Sequence, residues 1–590
     1  MVLTFRHLAI IGGLLALGAC GGGGGGYSGG VSSTPTPTPT PTNTSITNLV
    51  ANQNFANNDA SSTLTFDLST DTTTTGTAKL APLTVTYDAT SKSYTLSGVN
   101  GPETFAAADL VSSAGGEAKY RKGTGNDRDY LTLVTTPYTG STSNKYVGLG
   151  YWQRNTITGS TQNTFFDVFT YGLATPATAT PRTGSAAFAV DVFGVEAIPG
   201  IEPRVFQGRG AFNVDFGSSV FSTDTYLTET GLLTGQGVSG GGLELKAAGT
   251  LTSGTSLFSG NFVYGGQNGS ISGQLSGGFY GPAADELGAS FAGSNSAGAS
   301  VTGGLTGQRD TTLPAANLTL LNMTSPQLFY TQEAVLDYTS FDGDSAAPYA
   351  RTTTMVSQLN HLDNNTFSYA PGRSDLPGGT FTATSVVPSS DPNFTRYQKS
   401  FNGQDVTLEL YRPGSANTEL ALTYASFGRW HSSAKQGVVT TDSTDYFVYG
   451  LATPAGLLSA KKGTAHYAGI AYGAGANETT GARYDVRGTS IFDVNFTDQS
   501  YSGALALHAT NATSSQAVDF GTFSFANPLS ATTAASQAML MQNGINVGGL
   551  TTNFYGPNGE EIGGPFTVNV ADPTGSGRAA IAGITLAKTP

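Results

Sequence analysis

The chain contains itself twice, and that duplication limits its architecture more than any other feature. The heptapeptide YGLATPA stands at 171–177 and again at 449–455, 278 residues later. The only two tryptophans, Trp152 and Trp430, keep that displacement, and each follows a glycine by two residues, Gly150 and Gly428. Upstream, KYRK at 119–122 answers RYQK at 396–399. Downstream, GSAAFAVDVFG (184–194) answers GTAHYAGIAYG (463–473), FNVDF (212–216) answers FDVNF (492–496), and FYGPAADELGASF (279–291) answers FYGPNGEEIGGPF (554–566). Blocks in one order, displaced by 275 to 280 residues, require two homologous lobes.

Within each lobe the hydrophobic pattern has period two. LTVTY (83–87), a turn near Asp88 and YTLS (94–97) read as a hairpin, and long helical stripes are nearly absent. The expected class is all-β. The stretches 45–164 and 311–442 are less alike and richer in loops, whereas 165–310 and 443–590 carry the strongest matches as glycine-punctuated strands, roughly eight in each. Closing each set into a small antiparallel barrel removes unpaired edges, and alternate side chains fill the middle. Each lobe is therefore expected as a loop-rich β domain followed by a barrel.

The N-terminus has a separate logic. Arg6 and His7 precede an apolar run, 8–17, which is too short to span a bilayer and suits a secretory signal. Gly18 and Ala19, ahead of the chain's single cysteine, Cys20, resemble the lipobox of bacterial lipoproteins. That resemblance implies cleavage of 1–19, acylation of Cys20 and, with Gly21 following, sorting to the outer membrane. Residues 20–44 are then expected as a disordered lipidated tether: glycines first, then STPTPTPTPTNT (33–44), extended at about 3 Å per residue.

Composition excludes several functions. A net charge of -13, with only 11% charged residues, offers no basic patch for nucleic acid. One cysteine allows neither a disulfide nor a cysteine metal site. The histidines beyond the signal, His361, His431, His466 and His508, lack metal-ligand spacing, so no metal or cofactor is expected. GxGxxG at 235–240 and GxSxG at 237–241 precede GGLELKAAGTLTSG, which alternates as a strand; neither a phosphate cradle nor a nucleophile elbow can form. Asp285/Glu286 and Glu560/Glu561 follow Gly-Pro and read as turn residues rather than a glycosidase pair. The chain is not expected to be an enzyme.

GTAHYAGIAYG, FDVNF and FYGPNGEEIGGPF, ending in AAIAGITLAK (579–588), resemble the β-barrel domain of the transferrin-binding protein B family. Members of that family are bilobed surface lipoproteins of Gram-negative bacteria, each lobe placing a handle domain before an eight-stranded barrel. The resemblance implies handles at 45–164 and 311–442 and barrels at 165–310 and 443–590. It further implies non-enzymatic capture of an extracellular protein or solute, in the family an iron carrier, for hand-over to a TonB-dependent transporter. A structural or adhesive surface protein is the alternative, which low charge and glycine and threonine richness also suit.

The duplication supplies a filter for binding residues. Positions alike in both lobes, Trp152 with Trp430 and Tyr171 with Tyr449, are expected to serve the fold. Positions that differ are free to serve a ligand. FGVEAIPGIEPRVF (193–206) faces the polar YGAGANETTGARY (472–484), which sets Ile198, Pro199 and Ile201 beside Arg204 on a barrel loop. Exposed apolar clusters of this kind mark interaction sites. Tyr138, and Tyr151 matched by Arg429, complete the candidates, and capture is expected in the first lobe.

Overall fold

The computed structural model describes residues 42–590 apart from 141, 239–241, 344–345, 364–365, 402, 531–534 and 576. The expected signal segment, Cys20 and the tether up to residue 41 lie outside the described residues.

The first handle is a ten-stranded antiparallel sheet organised by the long strand Gln53–Asp67. One edge of that strand pairs along its length with Thr161–Gly172; the other pairs first with Thr84–Asp88 and then with Thr72–Ala81. The expected hairpin forms, with Tyr87 opposite Tyr94. Beyond Thr161–Gly172 the sheet runs through Val147–Thr158, Asp127–Val134 and Glu117–Lys122 to its edge, Leu110–Ala114. A nine-stranded sheet in the second lobe repeats the plan around Gln327–Phe341 and Val439–Gly450.

Trp152 and Trp430 are 1% and 0% exposed and sit in the two handle cores. The preceding glycines are required by close approach. A Cβ at Gly150 would lie 2.3 Å from the Phe169 ring, and one at Gly428 would lie 2.2 Å from the Phe447 ring.

Both barrels close. In the first, eight strands run from Ser185–Ala197 to Ser300–Arg309, and the first strand pairs with both the second, Arg204–Asp215, and the last. In the second, Thr464–Asn477 likewise closes on Arg578–Lys588. Inward side chains fill the interiors: Phe212 stacks on Phe221 at 4.8 Å with Phe258 and Phe279 beside them, and Phe492 packs on Phe525 at 5.1 Å in the second lobe.

The domain limits shift from expectation. The boundary at 164/165 cuts strand Thr161–Gly172, and that at 442/443 cuts Val439–Gly450; both strands lie wholly in the handles. The chain crosses into the barrels over 173–184 and 451–463. The reason is pairing: each strand is the partner of its handle's organising strand, so it belongs with the handle although its sequence matches as strongly as the barrels do.

Candidate functional site

Handle and barrel meet along a seam that Tyr138, Tyr151 and the loop bearing Pro199 and Ile201 touch, whereas Arg204 pairs with acids of the barrel. Glu286 opens barrel strand Glu286–Ser294, and its buried carboxylate accepts three successive backbone N–H groups of the handle, from Lys145 at 2.7 Å, Tyr146 at 2.7 Å and Val147 at 2.9 Å. In the second lobe Glu561 accepts from Thr423 at 2.6 Å, Tyr424 at 3.0 Å and Ala425 at 2.7 Å. Only the first acid of each sequence pair serves its turn: Asp285 accepts from Ala283 N–H and Glu560 from Asn558 N–H. Burial pushes Glu561 up to about 7 while the three N–H groups pull it down, and burial raises Glu286 against the same three bonds. These latches were missed in the sequence, because their partners lie about 140 positions away and nothing local announces them.

The loop at 198–203 joins Ser185–Ala197 to Arg204–Asp215 and lies on the handle. Thr73 N–H donates to Ile201 O at 2.9 Å, and Gly200 N–H donates to Thr73 O at 2.8 Å. Gly200, at φ 80°, makes the required left-handed turn. Glu202 accepts from Leu233 N–H, Thr234 N–H and the Thr234 hydroxyl, which binds this loop to the next one. Ile198, Pro199 and Ile201 are all half-buried, and Ile198 packs against the barrel core. Arg204 Nη1 lies 3.3 Å from Glu229 and 3.9 Å from Glu196, both buried. Glu229 also accepts from the Tyr264 hydroxyl at 2.5 Å. Burial, with Glu229 nearby, pushes Glu196 up to about 7 against the pull of Arg204.

Tyr138 and Tyr151 face inward, which corrects their reading as ligand contacts. Tyr151 is 3% exposed and stacks on Phe193 of the barrel at 5.1 Å; Tyr138 packs on the same ring at 5.3 Å, and the two hydroxyls are 2.7 Å apart. Both are committed to holding handle and barrel together. Of the candidates, Pro199 and Ile201 with exposed Gly200 remain at an outer lip of the seam.

Larger exposed apolar side chains occur elsewhere. Leu328, Tyr330 and Val356 share the outer face of the second handle at 40%, 73% and 62% exposure. A signal was available, since QLFYTQ (327–332) stands where the first lobe has QNFANN (53–58). Among the described residues no group of three His, Cys, Asp or Glu side chains could hold a metal ion. After GxGxxG comes strand Glu244–Leu251, not a helix.

The fold and seam define a class: a bilobed all-β protein in which a handle sheet is latched to a filled, closed eight-stranded barrel, twice. Residues 460–583 match the family model described as the C-lobe and N-lobe beta barrels of Tf-binding protein B, so the second barrel is transferrin-binding protein B-like. Among solved structures the chain is similar to a double mutant of transferrin-binding protein B from Haemophilus parasuis, at 17% identity over 78% of this chain and 85% of that one, with a TM-score of 0.25. It is likewise similar to isotype 1 transferrin-binding protein B from Neisseria meningitidis, at 17% identity over 78% and 89%, TM-score 0.24. The N-lobe domain of lactoferrin-binding protein B from Moraxella bovis matches at 16% identity over 30% and 80%, TM-score 0.21. No curated protein matches.

Proposed function

We propose that the chain is a surface lipoprotein, held in the outer membrane by acylated Cys20, that captures an extracellular protein and presents it to a TonB-dependent transporter. The match of residues 460–583 to the barrel family carries this reading. Barrel interiors filled with aromatic side chains support it as well, because a ligand must then be held on outer surfaces, as a macromolecule is. In the first lobe the lip formed by Pro199, Gly200 and Ile201, backed by handle strand Thr72–Ala81, is the contact surface we assign to the captured protein.

The names of the similar structures supply the probes, transferrin and lactoferrin. The mature chain is immobilised and titrated with each protein, with and without iron. In parallel, a deletion strain is grown under iron limitation. Saturable binding together with a growth defect supports capture for iron uptake. Unchanged iron-limited growth with altered attachment to surfaces would turn the reading to adhesion.

A further inference from the structure

The two lobes part company at the seam. In the first, one row of side chains across the handle sheet runs Lys119, Thr132, Tyr151, Val168, and Tyr151 seals it against barrel residue Phe193. In the second, the same row reads Arg396, Glu409, Arg429, Tyr446. Arginine replaces the sealing tyrosine, and a cleft of about 510 Å³ opens between handle and barrel.

Cations face this cleft from both sides. Arg396 and Arg429 rise from the handle, and Arg483 reaches in from barrel strand Arg483–Asn495. Three acids line it as well: Glu409 accepts from Arg429 Nε at 2.7 Å, Asp442 accepts from Arg483 Nη1 at 2.9 Å, and Asp485 stands on the barrel strand. Arg396 Nε is different. That atom is covered although the side chain as a whole is 37% exposed; it lies 3.9 Å from Glu409 and has no hydrogen-bond acceptor among the described residues. A buried charged donor left unmade is destabilising, and the planar guanidinium fork matches carboxylate and phosphate oxygens. Thr407 and Thr444 line the same space, the Thr444 hydroxyl 3.1 Å from His431 Nδ1, and Leu336 and Tyr338 extend that wall from the neighbouring handle strand. Its volume falls within the range of small-molecule sites, about 300 to 1,000 Å³, and is far larger than an inorganic ion needs.

We propose that this cleft binds a small hydroxylated organic oxyanion, a carboxylate or phosphate ester, whose charged end meets Arg396 and Arg429 and whose hydroxyls meet Thr407 and Thr444. The site is separate from the first-lobe lip and does not rest on protein capture.

The test is calorimetric titration of the mature chain in detergent micelles with citrate, glucose 6-phosphate, inorganic phosphate and glucose. Citrate or glucose 6-phosphate should bind at one site per chain with a dissociation constant of about 1 mM or tighter; glucose should not bind, and inorganic phosphate should bind at least tenfold more weakly. Arg429→Tyr, which installs the first-lobe residue but leaves Glu409 without its partner, and Arg396→Gln should each weaken binding at least tenfold, and Arg396→Gln should do so without moving the melting temperature. If Arg429→Tyr fails to fold, Arg396→Gln alone carries the comparison. Absence of binding by both organic anions, equal binding of glucose or of inorganic phosphate, or wild-type affinity in Arg396→Gln would each overturn the proposal.

Discussion

Acids buried in this protein hold protons that they would release in water. Asp59 and Asp167 lie in the first handle core, and by strand register Asp445 occupies the place of Asp167 in the second, where burial raises it as well. Burial pushes Asp167 up to about 6, and burial plus the neighbouring Asp167 raises Asp59 further. With Glu196 and Glu561 at about 7, the native chain binds more protons than the unfolded chain between roughly pH 4 and pH 7. Stability is therefore fullest at the acid end of that window and is lost as pH rises through it, each tenfold in proton affinity being worth about 1.4 kcal/mol. Melting temperatures should fall from pH 5 to pH 7.5, and Asp167→Asn should flatten the fall; a rising curve would contradict the assignment. The candidate loop separates at the same scale. Ile198→Ala should cost about 1 to 2 kcal/mol in urea unfolding, because its side chain packs on the barrel core, and should leave partner binding to the other residues of the lip. Ile201→Ala should cost less than Ile198→Ala and weaken binding of the captured protein by about 2 kcal/mol. The reverse ordering of the two variants would assign Ile201 to packing.

Strands and hairpins were legible wherever side chains alternate between core and solvent. Tyr87 meets Tyr94 as the pattern of 83–97 implies, and each barrel has the eight strands its glycine punctuation suggested. Long-range partners were not legible. Strand Thr161–Gly172 reads like its barrel neighbours, yet twelve of its residues pair with Gln53–Asp67, more than ninety positions earlier. Glu286 and Glu561 looked like turn residues for the same reason. Alternation reports which face is buried, not which distant strand covers it. Removing the Glu286 carboxylate leaves three handle N–H groups at the seam without their acceptor, so Glu286→Ala should lower stability by about 3 kcal/mol. Hydrogen exchange at Tyr146 and Val147 should quicken in that variant before the rest of the handle responds. Glu286→Gln, which keeps one acceptor oxygen, should lose less. Equal protection of those amides in wild type and Glu286→Ala would remove the latch from the account.

For the whole molecule, the duplication revealed two lobes, while the difference between their seams needed a structure, because Tyr151 and Arg429 acquire opposite roles only when a barrel faces them. On the proposed acylation of Cys20, Cys20→Ser should release the chain from the membrane fraction with its thermal transition intact. The joint between the lobes sets the remaining expectation. The segment after Arg309 lies on the first barrel, where Ala316 N–H donates to Asn213 at 3.0 Å and Thr319 donates to Asp215 at 3.2 Å. It also begins the second lobe, since Asn317 donates to Ser325 O at 2.9 Å and to Gln327 at 3.4 Å, much as Asn43 donates to Ala51 O and Gln53 in the first. The lobes also meet through Val220 of the first barrel, which joins the apolar cluster of the second lobe, and through helix Ala455–Ala460 on the first barrel, with a groove of about 610 Å³ left between them; each handle is joined to its own barrel by a latch and an apolar cluster. The cohesion within a lobe therefore exceeds that between lobes. Cutting between Arg309 and Thr312 should yield two fragments that each show near-UV circular dichroism and a cooperative melt, the first melting a few degrees lower than in the intact chain because it loses the covering segment. A fragment without a cooperative transition would show instead that the second lobe completes the core of the first.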